Sequence, residues 1–284
     1  MFEIQERRVQ RRQTVRHGAI LACHARDVPS RSPKDTFITV YGRKPVLEAL
    51  TDPALTVDKI ITADNARGDS LSAILSAARA RGVPVHRASA HRVKVLAGNG
   101  RHDQGVLADV IAPAMRPLAD YLEELADLPA DTPCALLVLD AVTNPANVGM
   151  VLRSATAAGL DGVVMPRRGV PAIDPLVIKA SAGVAFRARV LRAATAAEAC
   201  ALLKAAGIRV LGLTSGAPTS LLHDPLPERL ALVLGNETEG LSEEVRGQLD
   251  GTVSIPMRGG VESLNVASAA AVASYELLRR REAR

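Results

Sequence analysis

Three short polar stretches, each directly after an apolar run, hold residue types suited to gripping a small ligand. Thr214-Ser215-Gly216 follows IRVLGL, Gly235-Asn236-Glu237-Thr238-Glu239-Gly240 follows LALVL, and Met257-Arg258-Gly259-Gly260-Val261-Glu262-Ser263-Leu264-Asn265 follows VSIP. Glycine lets main-chain N–H and C=O groups come close to a ligand, and the neighbouring hydroxyls, amides and carboxylates add donors and acceptors. Ordinary turn chemistry explains any one such loop. Three of them in the last third of the chain predict a binding site. Arg153 and Asn147, in NVGMVLRSATAAG, form a further pair. A guanidinium suits anion contact, and an asparagine near a helix start suits capping. On an ideal helix the two lie about 9 Å apart along the axis and on different faces, so their roles differ.

Other chemistries lack their spacing. No GxGxxG follows a strand, no GxxxxGK(S/T) occurs, and Ser215 sits in GLTSG instead of the GxSxG of hydrolases. His17, His24, His86, His91, His102 and His223 show no metal-ligand spacing. Cys23, Cys134 and Cys200 are too scattered for a zinc site or a disulfide framework, so no metal is expected.

For the three loops to meet, the runs before them must be neighbouring strands. From Cys134 onward ALLVLD, GVVMP, RARVL, IRVLGL, LALVLG and VSIP read as buried strands. NVGMVLRSATAAG, IDPLVIKASAG, TAAEACALLKAAG, SEEVRGQL and LNVASAAAVASYELLRRR read as helices, with Gly159 and Gly207 closing two of them. The expected fold is therefore α/β, a mostly parallel sheet with helices on both faces, whose ligands bind outside the carboxyl ends of the strands. Val148, Val151, Leu152 and Ala155 make the buried stripe of the first helix, and Arg153 projects roughly opposite.

Residues 37–112 alternate in the same way. FITVYG, RKPVLEAL, VDKIITA, LSAILSAARARG, VPVHRA, AHRVKVLAG and QGVLADVI describe a smaller α/β sandwich, with Gly82 as a helix C-cap and Pro84 beyond it. Residues 113–133 hold four prolines around one short amphipathic helix and read as a linker to a domain at 134–284. Residues 1–36 are basic with little apolar periodicity and read as a poorly ordered extension, either an RNA-touching arm or a solvated tail.

An apolar fraction of 48% with 23% charged residues excludes a disordered or fibrous chain. No apolar run is long enough to span a membrane and the N-terminus begins with charges, so a cytoplasmic protein with no membrane partner is expected. A net charge of +5 suits a polyanionic partner. Aromatics are only 2% with no Trp, which excludes rows of base-stacking platforms. RNA would be read through shape, phosphates and hydrogen bonds.

NPANVGMVLRSA (144–155), LVLGNETEGLS (232–242) and IPMRGGVESLNVASAAA (255–271) resemble, in order and spacing, the three motifs of the SpoU family of RNA ribose methyltransferases, within the trefoil-knot SPOUT superfamily. IKASAGVAF (178–186) resembles a further family segment, and the similarity covers roughly residues 134–281. YGRKPVLEAL and RHDQGVLADV place residues 37–112 alongside the N-terminal substrate-binding domain of many members, itself similar to small RNA-binding ribosomal proteins. That domain favours members acting on large-subunit rRNA over shorter tRNA-modifying ones.

The resemblance implies a deep trefoil knot at the carboxyl end of the sheet, an exception to the rule that chains do not thread loops. It implies S-adenosylmethionine bound there by Thr214, Ser215, Gly235, Asn236 and Glu237, and by Ile255, Pro256, Met257 and Leu264. Members are homodimers whose sites draw on both subunits, and the small-residue helix 264–278 suits such an interface. The implied reaction is metal-free methyl transfer to a ribose 2′-hydroxyl, here of a guanosine in 23S rRNA. Arg153 would stand beside the ribose with Asn147 as its positioner, while Glu237, Ser263 and Asn265 complete the site. A guanidinium is a poor base, so either Arg153 binds phosphate or polarises the hydroxyl while Glu237 takes the proton, or Glu237 only orients Arg153 or caps a loop. Arg43, Lys44 and Arg101 are the RNA-binding candidates on the smaller domain. Where many relatives have an acidic residue before the proline and His after it, this chain reads Asn144-Pro145-Ala146-Asn147, which bears on substrate choice. The alternatives are a tRNA methyltransferase, an antibiotic-resistance methyltransferase and a non-catalytic ribosome-assembly factor.

Overall fold

The structure, a computed structural model, describes residues 36–98 and 103–283, so Arg101 and nearly all of the expected basic extension lie outside the described residues. The first sheet is built from β1 (Phe37–Tyr41), α1 (Arg43–Thr51), β2 (Val57–Ala63), α2 (Asp69–Ala80), β3 (Val85–Ala88), α3 (Ala90–Ala97) and β4 (Val106–Ile111). Its strand order is β1-β4-β2-β3, with β4 antiparallel to β1 and β2, and β3 parallel to β2. Alternation decides the faces: Ile38, Val40 and Ile60 pack with Leu50 and Ile74 from α1 and α2, whereas Tyr41, Ala63 and Leu107 pack with Val93 of α3. Each fully buried aliphatic of this kind contributes about 1.5–3 kcal/mol relative to exposure.

The second sheet comprises β5 (Arg116–Pro117), β6 (Cys134–Leu139), β7 (Gly162–Pro166), β8 (Val190–Ala193), β9 (Arg209–Leu213), β10 (Thr219–Ser220), β11 (Arg229–Leu234) and β12 (Gly251–Ser254). They run in the order β10-β12-β9-β11-β6-β7-β8-β5, and every pairing is parallel. The helices are α4 (Leu118–Ala126), α5 (Pro145–Ala157), α6 (Pro175–Ala180), α7 (Ala196–Ala205), α8 (Glu243–Arg246) and α9 (Val266–Glu282). Along β6, Leu137 and Leu139 face a layer with Val148, Val151 and Leu152 of α5 and Ala270 of α9; Leu136 and Val138 face a layer with Leu118 of α4 and Leu203 of α7. Both faces are covered, which is why the strands read as continuous apolar runs. Among the described residues no helix is long and apolar enough to cross a membrane.

Residues 113–133 differ from a free connector. Arg116–Pro117 pairs with β8, and α4 buries Leu118, Tyr121, Leu122 and Leu125 in the core of the large sheet. The amphipathic stripe that marks α4 as a helix is also what docks it. Cys134 and Cys200 lie in the same layer, and burial pushes the Cys134 thiol up to about 11 and the Cys200 thiol up to about 12.

Candidate active site

The sheet order places β12, β9 and β11 side by side, so the loops leaving their carboxyl ends converge although they lie far apart in sequence. They line one cleft of about 650 Å³. Thr214, Ser215, Gly235, Asn236 and Glu237 all line it, as do Ile255, Met257, Ser263 and Leu264; Pro256 does not.

The loop after β11 is fixed by its own sequence. The Asn236 and Gly240 main chains exchange two hydrogen bonds of 2.9 Å. The Asn236 side-chain oxygen accepts from the Thr238 and Glu239 N–H groups at 2.9 and 3.2 Å, while its amide donates to the Ala141 carbonyl at 3.0 Å. Gly235 is required here, because a Cβ would lie 2.4 Å from the Gly240 carbonyl. Buried Asp140, at the end of β6, accepts from the Ser242 N–H at 2.7 Å and the Ser242 hydroxyl at 3.2 Å, clamping the far end of the loop. Sequence reasoning left Asp140 unassigned, although a carboxylate ending the buried run ALLVLD is a visible signal. Arg246 and Glu262, also unassigned from sequence, line the cleft, and Arg246 Nε donates to the Leu241 carbonyl at 2.9 Å.

Behind the cleft runs a chain of side-chain hydrogen bonds. Asn265 caps α9 by accepting from the Ala267 N–H, and its amide donates to Asn147 Oδ1 at 3.2 Å. The Asn147 amide in turn donates to Glu237 Oε1. Asn147 is buried inside α5 and does not cap it. The cap is Asn144, which accepts from the Ala146 N–H, with Pro145 in the first turn. A proline there needs no N–H partner, so the helix starts three residues earlier than an Asn147 cap would require.

Three of the expected site residues, Asn147, Glu237 and Asn265, are thus joined directly, and Ser263 shares the cleft with Glu237. Arg153 is not brought to them: it lies exposed on α5, outside the cleft of its own chain. The small residues of α9 also have a use within the chain. Ala267, Ala270, Ala273 and Ser274 are buried, and α9 packs on α5. On the smaller domain, the Arg43 guanidinium donates to the carbonyls of Arg67 and Gln104 at 2.7 and 3.4 Å. Lys44 is 88% exposed and faces Glu48 one turn away.

Three carboxylates, Glu237, Glu239 and Glu262, line the cleft against one guanidinium, Arg246. This balance suits a small cationic ligand and opposes a polyphosphate. The volume is ordinary for a small-molecule site.

Residues 135–275 match the SpoU rRNA Methylase family, and residues 39–115 match the RNA 2′-O ribose methyltransferase substrate-binding domain. The chain is 37% identical over 242 residues to the 23S rRNA (guanosine-2′-O-)-methyltransferase RlmB of Ralstonia nicotianae, covering 85% of this chain and 95% of that protein. It is 31% identical over 253 residues to an uncharacterized tRNA/rRNA methyltransferase of Synechocystis sp., covering 89% of this chain and 65% of that longer protein. The crystal structure of the SpoU methyltransferase AviRb from Streptomyces viridochromogenes in complex with AdoMet shares the fold, with a TM-score of 0.58 at 24% identity, over 87% of this chain and 92% of that one.

Proposed function

Because the chain belongs to the SpoU rRNA methylase family and carries its substrate-binding domain, we propose that it moves the methyl group of S-adenosylmethionine to the ribose 2′-hydroxyl of a guanosine in 23S rRNA. The observation that carries this reading is the acidic, three-loop cleft at the strand ends, with Glu237 fixed at its wall by Asn147 and Asn265. S-adenosylmethionine bears a sulfonium and an ammonium group, and the carboxylates of the cleft complement both. When bound, it supplies an electrophilic methyl group on sulfur that can be displaced in line.

The residues of the chain then have three tasks. Main-chain groups of the loops after β9, β11 and β12 hold the donor, with the Thr214 and Ser215 hydroxyls adding donors and acceptors. Glu237, engaged through Oε1, keeps its other oxygen to accept the 2′-hydroxyl proton. Asn147 and Asn265 are positioning residues that fix this carboxylate. Ser263 supplies a hydroxyl to the same cleft. Arg153, always charged, stabilises the developing charge on the 2′-oxygen and contacts the adjacent phosphate.

Arg153 can do this only if it comes from a second copy, since it lies outside the cleft of its own chain. We therefore assign a homodimer, built on the α5–α9 side, where Met150 and Tyr275 are large exposed side chains. We also assign the trefoil knot: Ile255, Met257, Glu262, Ser263 and Leu264, after β12, line the same cleft as the loops after β9 and β11. Lys44 joins Arg43 and Arg101 as candidate contacts to the phosphates. A reaction on ribosomal RNA belongs in the cytoplasm.

The test is methyl incorporation from labelled S-adenosylmethionine into 23S rRNA and, separately, into bulk tRNA. Label in rRNA is expected. Label confined to tRNA overturns the substrate, and failure to bind S-adenosylmethionine overturns the reaction.

A further inference from the structure

A second cleft, of about 690 Å³, opens between the α3 face of the small sheet and the segment ahead of α6. No residue lines both this cleft and the one at the three loops. Its walls are mainly apolar, with Ile61 and Leu107 on one side and Ile173 on the other. They include Phe37 and Tyr41, drawn from only three Phe and three Tyr in the whole chain. Asp109 and Asp174 add carboxylates, and Arg192 a guanidinium. An apolar slot with an aromatic wall and a few polar groups suits a flat heteroaromatic ring.

The neighbouring surface of α3 carries the complementary signal. The helix contains no Asp or Glu. Arg92 is exposed on it, and among the described residues its side chain makes no hydrogen bond or ion pair. Leu96 lines the cleft while 37% exposed, and Arg92 lies one turn before it on the same helix face. Ile173 and Asp174 follow β7, and Arg192 lies near the end of β8, so this cleft shares the carboxyl-terminal edge of the large sheet with the active-site cleft.

We propose that the second cleft receives one unpaired nucleobase of the substrate RNA, away from the methylated nucleotide, with Arg92 on a flanking phosphate. This rests on the RNA methyltransferase reading above. A base held there fixes which nucleotide reaches the three-loop cleft, so the second cleft is a specificity site.

The experiment uses full-length protein, labelled S-adenosylmethionine and a 23S rRNA fragment that the wild type methylates. Leu96→Trp fills the cleft from an exposed position. It is expected to raise the RNA KM about 10-fold, the loss of one base–aromatic contact, with kcat and S-adenosylmethionine affinity within two-fold of wild type. The Arg92→Gln variant is expected to raise KM and to lower the slope of log KM against log salt by about 1, for the lost phosphate contact. Independently of any variant, abasic substitution scanned along the fragment is expected to find one nucleotide outside the target whose removal raises the wild-type KM about 10-fold and adds little in Leu96→Trp. A wild type that methylates but whose KM ignores every abasic site, or a folded Leu96→Trp with unchanged KM, overturns the cleft assignment alone. A wild type that methylates no RNA overturns the methyltransferase reading and the cleft assignment with it.

Discussion

Glu237 is held by an amide relay whose far end is a helix cap. Asn265 is fixed by capping α9, Asn147 by burial in α5, and the carboxylate takes its position from both. Removing the middle member should release the Glu237 carboxylate while the main chain of its loop stays clamped by Asn236 and Asp140. Asn147→Ala is therefore expected to lower kcat about 100-fold, the range for loss of a well-placed proton acceptor, with S-adenosylmethionine affinity within two-fold by calorimetry. A parallel loss of donor affinity would show that Asn147 supports the cleft as a whole. At this scale the sequence named the members of the relay but not their connections. An asparagine near a helix start invites a capping role, and Asn144 followed by Pro145 was the better capping signal. Burial then gives the amide of Asn147 to Glu237, a contact between residues far apart in the chain, which spacing cannot show.

The elements around α5 set how closely the site is packed. Gly149 lies where α5 crosses α6, and a Cβ there would meet the Val177 carbonyl at 2.6 Å and the Ser181 nitrogen at 2.9 Å. Alanine would gain about 1 kcal/mol of helix propensity, but the clash is with backbone, which yields poorly. Gly149→Ala is expected to lower unfolding stability by about 1–2 kcal/mol net in urea melts, within the range for overpacking; a stability gain would mean that α6 shifts freely. On α9, Glu276 is 8% exposed and accepts from Arg279 at 2.8 Å and Arg280 at 2.6 Å. The Arg279 hydrogen bond, then Arg280, hold its carboxyl below the usual range. A depressed carboxyl contributes stability above its unfolded pKa and loses it as pH falls through the folded value. Glu276→Gln should thus cost about 1–3 kcal/mol at neutral pH and flatten the acid limb of stability below about pH 4.3; equal acid limbs would remove Glu276 as a source. Long periodic elements such as α2, α5 and β11 were legible from sequence because burial imposes their pattern. The two-residue strands β5 and β10 carry no periodicity, so their sheet positions emerge only from the pairing.

For the whole molecule, the proposed homodimer rests on the exposed position of Arg153, outside the cleft of its own chain. Mixing Arg153→Ala with Glu237→Gln chains tests this. If each site joins Glu237 of one chain to Arg153 of the other, random pairing leaves about a quarter of sites intact. About a quarter of wild-type methyl transfer is expected from two nearly inactive proteins, and no recovery would place Arg153 and Glu237 in the same subunit's site. The α/β architecture, the two-sheet division and the polar loops after three strands were accessible from sequence, because burial imposes the pattern of covered strands; the strand order, with β9 between β11 and β12, was not. The second cleft was not, since its walls come from segments more than fifty residues apart. The central claim is tested most directly by incubating the protein with trideuteromethyl S-adenosylmethionine and 23S rRNA, digesting to nucleosides and weighing the products. Trideuterated 2′-O-methylguanosine, absent with Arg153→Ala, is the predicted result; label on a nucleobase, or none in a protein that binds the donor, would contradict it.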